Sequence, residues 1–152
     1  MPVTQIPSTT DKAIVVGTFP TCSPGRLFDY WTIPQLITQW WPPEAEIESC
    51  LNGSYHFSWP QMQWHLRGQY TDFEPGRKLA FTWRWDHYPN ITNVVVNFEP
   101  LDAIDAIGDT GTKLTVTHGD YSDSGEDQEA RQGHIEGWLY FVGKLQSCIE
   151  GQ

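Results

Sequence analysis

The sequence predicts an α+β domain, in which a run of antiparallel strands lies between two helical regions. Three observations predict this class. Apolar and polar residues alternate with period two through the middle of the chain, a helical spacing occurs in "SPGRLFDYWT", and a second helical spacing closes the chain. With 152 residues, the chain is long enough for one domain with a substantial core. We expect a single domain over residues 1–152, with an ordered core at about residues 12–149.

The first strand and two short helices are predicted before Pro43. After a polar lead that ends at about Asp11, "KAIVVGTFPTC" is rich in Val and Ile, as strands are. In "SPGRLFDYWT", Ser23 fits the N-cap and Pro24 the first helical position, and apolar residues then recur at helical spacing. Pro34 would open a second helix, "PQLITQWW", which two prolines stop.

Six further strands are predicted from the alternating segments that follow. "AEIESCL" and "SYHFSW" flank Asn52-Gly53, a pair typical of a two-residue hairpin turn. "QWHLRGQYTDF" and "KLAFTWRWDH" flank the turn "EPGR", and "TNVVVNF" and "TKLTVTH" lie on either side of an acidic loop. Consecutive strands joined by short turns are antiparallel, so we expect about seven antiparallel strands in all.

A long helix is predicted at the end of the chain, because apolar residues there are spaced by alternating steps of three and four. The residues of this stripe are Ile135, Trp138, Val142, Leu145 and Ile149. The acidic segment before it, "DYSDSGEDQE", lacks the spacing of a calcium-binding loop. We expect a solvated loop in this segment.

Charge and composition limit the partners. Nine Lys and Arg against nineteen Asp and Glu give a formal charge of -10, which would repel a phosphate backbone, so no nucleic-acid partner is expected. No apolar run approaches the roughly 20 residues that span a bilayer, so no membrane insertion is expected. The N-terminus lacks the features of a secretion signal, and the three cysteines form no CxxC pair; both favour a cytoplasmic protein with reduced thiols.

No catalytic motif can be assigned from the sequence. "DTGT", which begins at Asp109, matches the aspartic-protease tetrapeptide, but that chemistry needs two carboxylates that share a proton, and ordinary turn chemistry explains the segment. The five histidines show neither HExxH nor a cluster with cysteine, and no glycine-rich loop is present, so neither a metal nor a cofactor is expected. The balance favours a protein that is not an enzyme, although a missing motif does not exclude catalysis.

His118 is the histidine that strand parity places towards the interior, on the same face as Leu114 and Val116. No carboxylate or nucleophile partner for it is visible in the sequence. A core histidine with satisfied hydrogen bonds is therefore favoured over a general base.

Aromatic residues are the main functional signal. The chain has eight Trp, seven Phe and six Tyr, more large rings than ordinary packing requires. Strand parity in "LAFTWRW" places Leu79, Phe81, Trp83 and Trp85 on one face. Such a face either fills a solid core or lines a hollow below a strongly curved sheet, and parity alone leaves both readings open.

Five motifs occur in the order found in one family. They are "SPGRLFDYWTIPQLITQWWPP", "NGSYHF", "GQYTDFEPGRKLAFTWRW", "TKLTVTH" and "HIEGWLYFVGKL". Over roughly Lys12 to Ile149, the chain therefore resembles the homologues of the activator of the heat-shock chaperone ATPase, the AHSA-like family of the START-like or SRPBCC superfamily. The resemblance implies the helix-grip fold: a curved antiparallel sheet wrapped around a long C-terminal helix, with two short helices after the first strand closing one end.

The resemblance leaves several functions open, because the superfamily includes lipid and hormone carriers, polyketide cyclases and chaperone partners. We expect a small soluble binding protein, monomeric or homodimeric, that takes a hydrophobic or aromatic small molecule or a lipid into a cavity between the sheet and the last helix. One alternative is a chaperone-interaction domain that acts through its outer surface. The other is a cyclase-like enzyme in which His118 or a tyrosine in the same cavity acts as acid or base.

Ten residues are expected to line this cavity, and the two that precede the paired prolines are expected to guard its mouth. These two are Trp40 and Trp41. The complete set is Trp40, Trp41, Tyr55, Phe57, Tyr70, Phe81, Trp83, Trp85, His118 and Trp138.

Overall fold

Eight strands and three helices make up the described part of the chain. The computed structural model describes residues 3–101 and 111–151. The strands are β1 (Thr4–Ile6), β2 (Lys12–Phe19), β3 (Glu44–Ile47), β4 (Ser54–Trp59), β5 (Trp64–Glu74), β6 (Lys78–Trp85), β7 (Thr92–Pro100) and β8 (Thr112–Gly119). The helices are α1 (Pro24–Thr32), α2 (Pro34–Ile37) and α3 (Gly125–Glu150), and a 3₁₀ turn, Pro60–Met62, joins β4 to β5. Asp109, the first residue of "DTGT", lies outside the described residues.

The strands form one antiparallel sheet in the order β1-β2-β8-β7-β6-β5-β4-β3. At its centre, Val94 lies opposite Phe81 on one side and His118 on the other. The register shifts between Tyr70 and Asp72 on β5, and such an irregularity increases local bending. The curved sheet wraps α3, whose buried stripe is the predicted one. The predicted α+β class and the helix-grip arrangement are therefore confirmed.

The first helix follows the predicted capping chemistry. The Ser23 side chain accepts a hydrogen bond from the Arg26 backbone N–H at 3.3 Å. The second helix ends at Ile37, earlier than the predicted end, so Trp40 and Trp41 lie in the turn that follows it. Helix α1 stops just before Pro34, which has no N–H to donate to the Tyr30 carbonyl. The Trp40 indole N–H supplies a donor instead, at 2.9 Å, and this bond holds the turn against α1.

No strand was predicted before Lys12, and the structure differs from this expectation at residues 4–6. They form β1, which pairs antiparallel with β2 and places Gln5 opposite Val15. The reason is backbone pairing, since all three side chains of β1 are exposed and the strand gives no alternating apolar signal. The two short helices therefore follow the second strand, and the described sheet has eight strands where seven were predicted.

The acidic segment before the last helix was expected to be a loop, and this was wrong for its second half. Helix α3 begins at Gly125, and its N-cap is Ser124, whose side chain accepts from the Asp127 N–H at 3.1 Å. Carboxylates are favourable in a first helical turn because they face the positive end of the helix dipole. The Asp127 carboxylate also accepts hydrogen bonds from three donors that fix the helix start: the Tyr88 hydroxyl, the Asn90 amide and the Ser122 N–H.

The two-residue hairpin predicted at Asn52-Gly53 was also wrong. Strand β3 ends at Ile47, and a turn closed by a 2.9 Å bond from the Gly53 N–H to the Cys50 carbonyl lies inside a longer connection. The physical reason is that β5 competes with β3 for the backbone hydrogen bonds of this segment. The backbone groups of residues 52 and 53 bond to Tyr70 on β5, at 2.9 Å each, instead of extending the β3–β4 pair.

Candidate ligand-binding site

A cavity of about 270 Å³ lies between one end of the sheet and α3. Its wall is mostly aromatic. Met62 and Trp64 are 50% and 41% exposed, so they form the rim where the cavity meets solvent. The described lining residues are Trp41, Trp59, Met62, Trp64, Trp83, Trp85, Gly133, His134, Gly137, Trp138 and Phe141.

Two glycines on α3 keep this space open. Gly133 and Gly137 lie one helical turn apart, and positions four residues apart share a face. A Cβ atom built at either position would meet nothing within 4 Å beyond its chain neighbours and the adjacent backbone of α3. Glycine inside a helix is less favourable than alanine by about 1 kcal/mol, so the helix is weaker here than it would be with side chains. At these two positions of the cavity wall, α3 therefore presents no side chain.

Trp83 on β6 lies at the centre of the aromatic wall. Its ring is nearly parallel to that of Trp41, at 17° and 5.7 Å between centroids. It also meets Trp138 at 5.7 Å and Trp85 edge-to-face at 5.6 Å. Each such aromatic pair contributes about 0.5–1.5 kcal/mol beyond the burial of its area. The wall is therefore fixed by mutual packing from the turn after α2, from β6 and from α3.

His118 lies behind the wall and is completely buried. The Trp138 indole N–H donates to its Nδ1 at 3.1 Å, and its Nε2 lies 2.7 Å from the Thr92 hydroxyl oxygen. Burial and the neighbouring His134 both lower the pKa of His118 well below its usual value. Both ring nitrogens have partners, which is the satisfied core histidine that the strand pattern favoured.

His134 is the polar side chain of the cavity wall. Its ring stacks on His118 at 4.2 Å and 8°, and its Nδ1 lies 2.7 Å from the Tyr121 hydroxyl oxygen. Burial lowers the pKa of His134 to about 4. Both imidazoles of the stacked pair are therefore neutral at pH 7, and the cavity presents a neutral polar group.

The family follows from a comparison over most of the chain. The family model described as "Activator of Hsp90 ATPase homolog 1-like protein", AHSA1, matches residues 21–150. The chain belongs to the AHSA1 family. This confirms the AHSA-like resemblance. No curated protein matches the sequence with significance.

Solved structures similar to this AHSA1 chain share its fold. Protein MLL2253 from Mesorhizobium loti is 22% identical with a TM-score of 0.77, and the match covers 93% of this chain and 98% of that one. DynU16, a protein in the dynemicin biosynthetic locus, is 19% identical with a TM-score of 0.76, over 95% of this chain and 48% of that one. CalU16 from Micromonospora echinospora is 17% identical with a TM-score of 0.68, over 95% and 83%. At such identities the likeness shows the fold alone.

The ten residues predicted as lining fall into two groups in this AHSA1 chain. Four of them line the cavity: Trp41, Trp83, Trp85 and Trp138. The other six lie in the packed interior and do not reach it. These are Trp40, Tyr55, Phe57, Tyr70, Phe81 and His118.

The interior group packs too tightly to leave room for a ligand. Tyr55, Phe57, Tyr70 and Phe81 surround a gap that has no room for a water molecule. Trp40 is fully buried, so it does not guard the mouth; the rim is formed by Met62 and Trp64. Both readings of the aromatic face are therefore correct in part. The rings fill a solid core under the middle of the sheet and line an open cavity at one end.

Sequence reasoning did not select seven lining residues, which are Trp59, Met62, Trp64, Gly133, His134, Gly137 and Phe141. One signal could have found the helical ones. Two glycines four residues apart inside a strong helical pattern need a packing or functional reason. His134 lies three residues before Gly137 and Phe141 four residues after it, and both spacings belong to one helix face. Trp59 and Trp64 have inward parity on their strands but lie beside the 3₁₀ turn, whose position parity does not give.

Within residues 3–101 and 111–151, no group of three His, Cys, Asp or Glu side chains lies close enough to hold a metal ion. In the same part of the chain, no helix has the length and apolar character to cross a membrane.

Proposed function

We propose that this AHSA1-family protein binds a small apolar ring compound in the cavity between the sheet and α3. The observation that carries the proposal is the cavity of about 270 Å³, held open by two helical glycines and walled by aromatic rings. Ligand sites are usually concave, mostly apolar, and supplied with a few polar groups. His134 is such a group. A structural neighbour, DynU16, is a protein in the dynemicin biosynthetic locus.

The size of the cavity favours a ring compound over a lipid. Ligand pockets usually measure about 300–1,000 Å³, so this cavity of about 270 Å³ is slightly smaller than the usual range. A long acyl chain would need to continue into the neighbouring groove of about 410 Å³, which shares Trp59 and Met62 with the cavity and is otherwise lined by residues 43–44 and 60–61. A compound of two fused rings needs only the cavity.

The affinity expected from burial is modest. An aromatic group of tryptophan size buries about 150–250 Å², which at about 25 cal/mol per Å² corresponds to about 4–6 kcal/mol. This free energy corresponds to a Kd between about 1 mM and about 30 μM. Binding much tighter than this would require polar contacts in addition to burial.

Substitutions at two glycines of α3, one in the cavity wall and one away from it, provide the test. Gly137→Leu places a side chain in the cavity, while Gly143→Leu makes the same change on the same helix at a position that does not line it and has open space around it. Both variants gain the same helix propensity, so we expect both to fold with equal or greater stability. We expect tryptophan fluorescence to report saturable binding of naphthalene by the parent chain and Gly143→Leu, and at least tenfold weaker binding by Gly137→Leu.

Three other outcomes would contradict the proposal or favour one of the alternative functions. Equal binding by both variants would place the ligand outside the cavity and overturn the proposal. No saturable binding of naphthalene, a flavonoid or a fatty acid, together with co-purification of a chaperone, would favour action through the outer surface. Turnover of a bound compound would favour a cyclase-like enzyme in the same cavity.

A further inference from the structure

We propose that the ligand of this cavity is a neutral aromatic compound that carries a hydrogen-bond acceptor, such as a ring carbonyl, and that His134 Nε2–H donates to this acceptor. The inference rests on the proposed function and names the ligand class. It follows from the direction of the hydrogen bonds around the two stacked histidines and from the polar groups of the cavity wall.

The first step fixes the proton on His118. An indole nitrogen can only donate, so the 3.1 Å contact from Trp138 Nε1 makes His118 Nδ1 an acceptor without a proton. In a neutral imidazole, the other nitrogen then carries the proton. His118 Nε2–H therefore donates to the Thr92 hydroxyl at 2.7 Å. Both ring nitrogens of His118 are therefore hydrogen-bonded within the protein, and neither is available to a ligand.

The second step fixes the proton on His134. Its Nδ1 lies 2.7 Å from the Tyr121 hydroxyl oxygen, and Tyr121 is only 4% exposed. If His134 Nδ1 donated, the part-buried Tyr121 hydroxyl would have no acceptor for its proton among the described residues, and leaving a donor unpaired costs free energy. Tyr121 therefore donates to Nδ1, and the proton of His134 is on Nε2. No described residue accepts from this N–H, and the side chain lines the cavity.

The remaining polar side-chain groups of the wall are indole N–H groups, which can only donate. The indole N–H of Trp83 is itself out of contact with solvent and has no acceptor among the described residues, so it does not face the open space. None of the described lining residues has a carboxylate, amide or hydroxyl side chain. The wall thus offers N–H donors and no strong side-chain acceptor. A ligand with a hydrogen-bond acceptor can pair with these donors, whereas a ligand with only a donor finds no side-chain partner.

A cation is the main competing ligand, because indole faces attract ammonium groups. The net charge of -10 would also favour one. Inside the cavity, however, the nearest polar groups are N–H donors, whose positive ends would repel a cation, and no described carboxylate lines the wall. The local chemistry therefore favours a neutral acceptor.

The test is an NMR titration of the ¹⁵N-labelled chain, followed at the indole N–H signals, with four probes. 1-Indanone carries an acceptor, indane carries no polar group, indole carries only a donor, and tetramethylammonium is a cation. One neutral hydrogen bond corresponds to about a threefold to tenfold change in affinity. We expect 1-indanone to bind about three to ten times more tightly than indane, and indole to bind no more tightly than indane. His134→Phe, which keeps an aromatic ring beside His118, should reduce 1-indanone to the level of indane.

The outcomes separate the inference from the proposed function. Equal affinity for 1-indanone and indane, or tightest binding of indole or tetramethylammonium, would overturn the inference and leave the cavity as a binding site. Failure of all four probes to shift the indole signals would overturn both. If His134→Phe does not fold, the unaltered chain decides the matter: a long-range ¹H–¹⁵N spectrum should show a proton on His134 Nε2, and a proton on Nδ1 would refute the assignment.

Discussion

Acid should destabilise the protein through the buried histidine pair well before its carboxylates are protonated. Burial lowers the pKa of His134 to about 4, whereas an unfolded histidine has a pKa of about 6.5. As the pH falls from 7, the unfolded chain therefore binds a proton at this residue before the folded chain does. The stability due to neutral His134 is fully present above pH 6.5, declines between about pH 6.5 and 4, and levels off below that range.

The size of the effect follows from these two pKa values. The difference in proton binding corresponds to about 2 kcal/mol at pH 5 and about 3 kcal/mol at pH 4, relative to neutral pH. His118 acts in the same direction, because burial and its contact with His134 lower its pKa also. Since single domains have about 5–15 kcal/mol of stability in total, this loss is large.

Urea unfolding at pH 7, 6 and 5, monitored by tryptophan emission, measures the effect. His134→Phe cannot titrate, so we expect its unfolding free energy to fall by about 2 kcal/mol less than that of the parent chain between pH 7 and pH 5. The comparison uses slopes with pH, which removes the pH-independent cost of the substitution. Identical slopes for His134→Phe and the parent chain would refute the reasoning.

Two further predictions concern stability. Trp40→Phe removes the indole N–H that donates to the Tyr30 carbonyl at 2.9 Å, where Pro34 has no N–H to offer, and we expect a loss of about 1–3 kcal/mol in urea unfolding. Asp127→Asn replaces the carboxylate that accepts three hydrogen bonds at the start of α3, and we expect a loss of about 1–3 kcal/mol at pH 7. Those hydrogen bonds lower the pKa of Asp127 below its usual 3.8, so this difference between the parent chain and Asp127→Asn should shrink only as the pH falls below that value.

The elements that the sequence predicted well are those in which burial and local chemistry agree. In α1, Ser23 caps the helix and apolar residues follow at helical spacing, so two independent signals mark the same start. The stripe of α3 was equally clear. Its start was not, because the acidic first turns carry no apolar periodicity and depend on Asp127 finding donors that come from distant segments. Strand β1 was missed for a related reason, since its side chains are exposed and its pairing with β2 leaves no apolar pattern in the sequence.

The candidate site was predicted only in part, because strand parity gives the face of a side chain but not its depth. The row on β6 shows the difference. Leu79, Phe81 and Trp83 are 1%, 3% and 5% exposed, while Trp85 is only partly buried. All four share a face, yet Phe81 packs into the closed interior and the two tryptophans line the cavity. Their depth depends on what lies opposite each of them, and that is decided by α3 and by the turn after α2.

The position of the cavity is therefore determined more by missing side chains on the helix than by the tryptophans on the sheet. Bulky rings can close an interior completely, as Tyr55, Phe57, Tyr70 and Phe81 do. An open space persists only where the opposite element cannot fill it, and on α3 this occurs at Gly133 and Gly137. Since glycine inside a helix costs about 1 kcal/mol relative to alanine, two such positions facing one hollow weaken the helix without improving the packing. Under the proposed function these positions leave room for the ligand, and filling the space at position 137 is the direct way to show whether it is used.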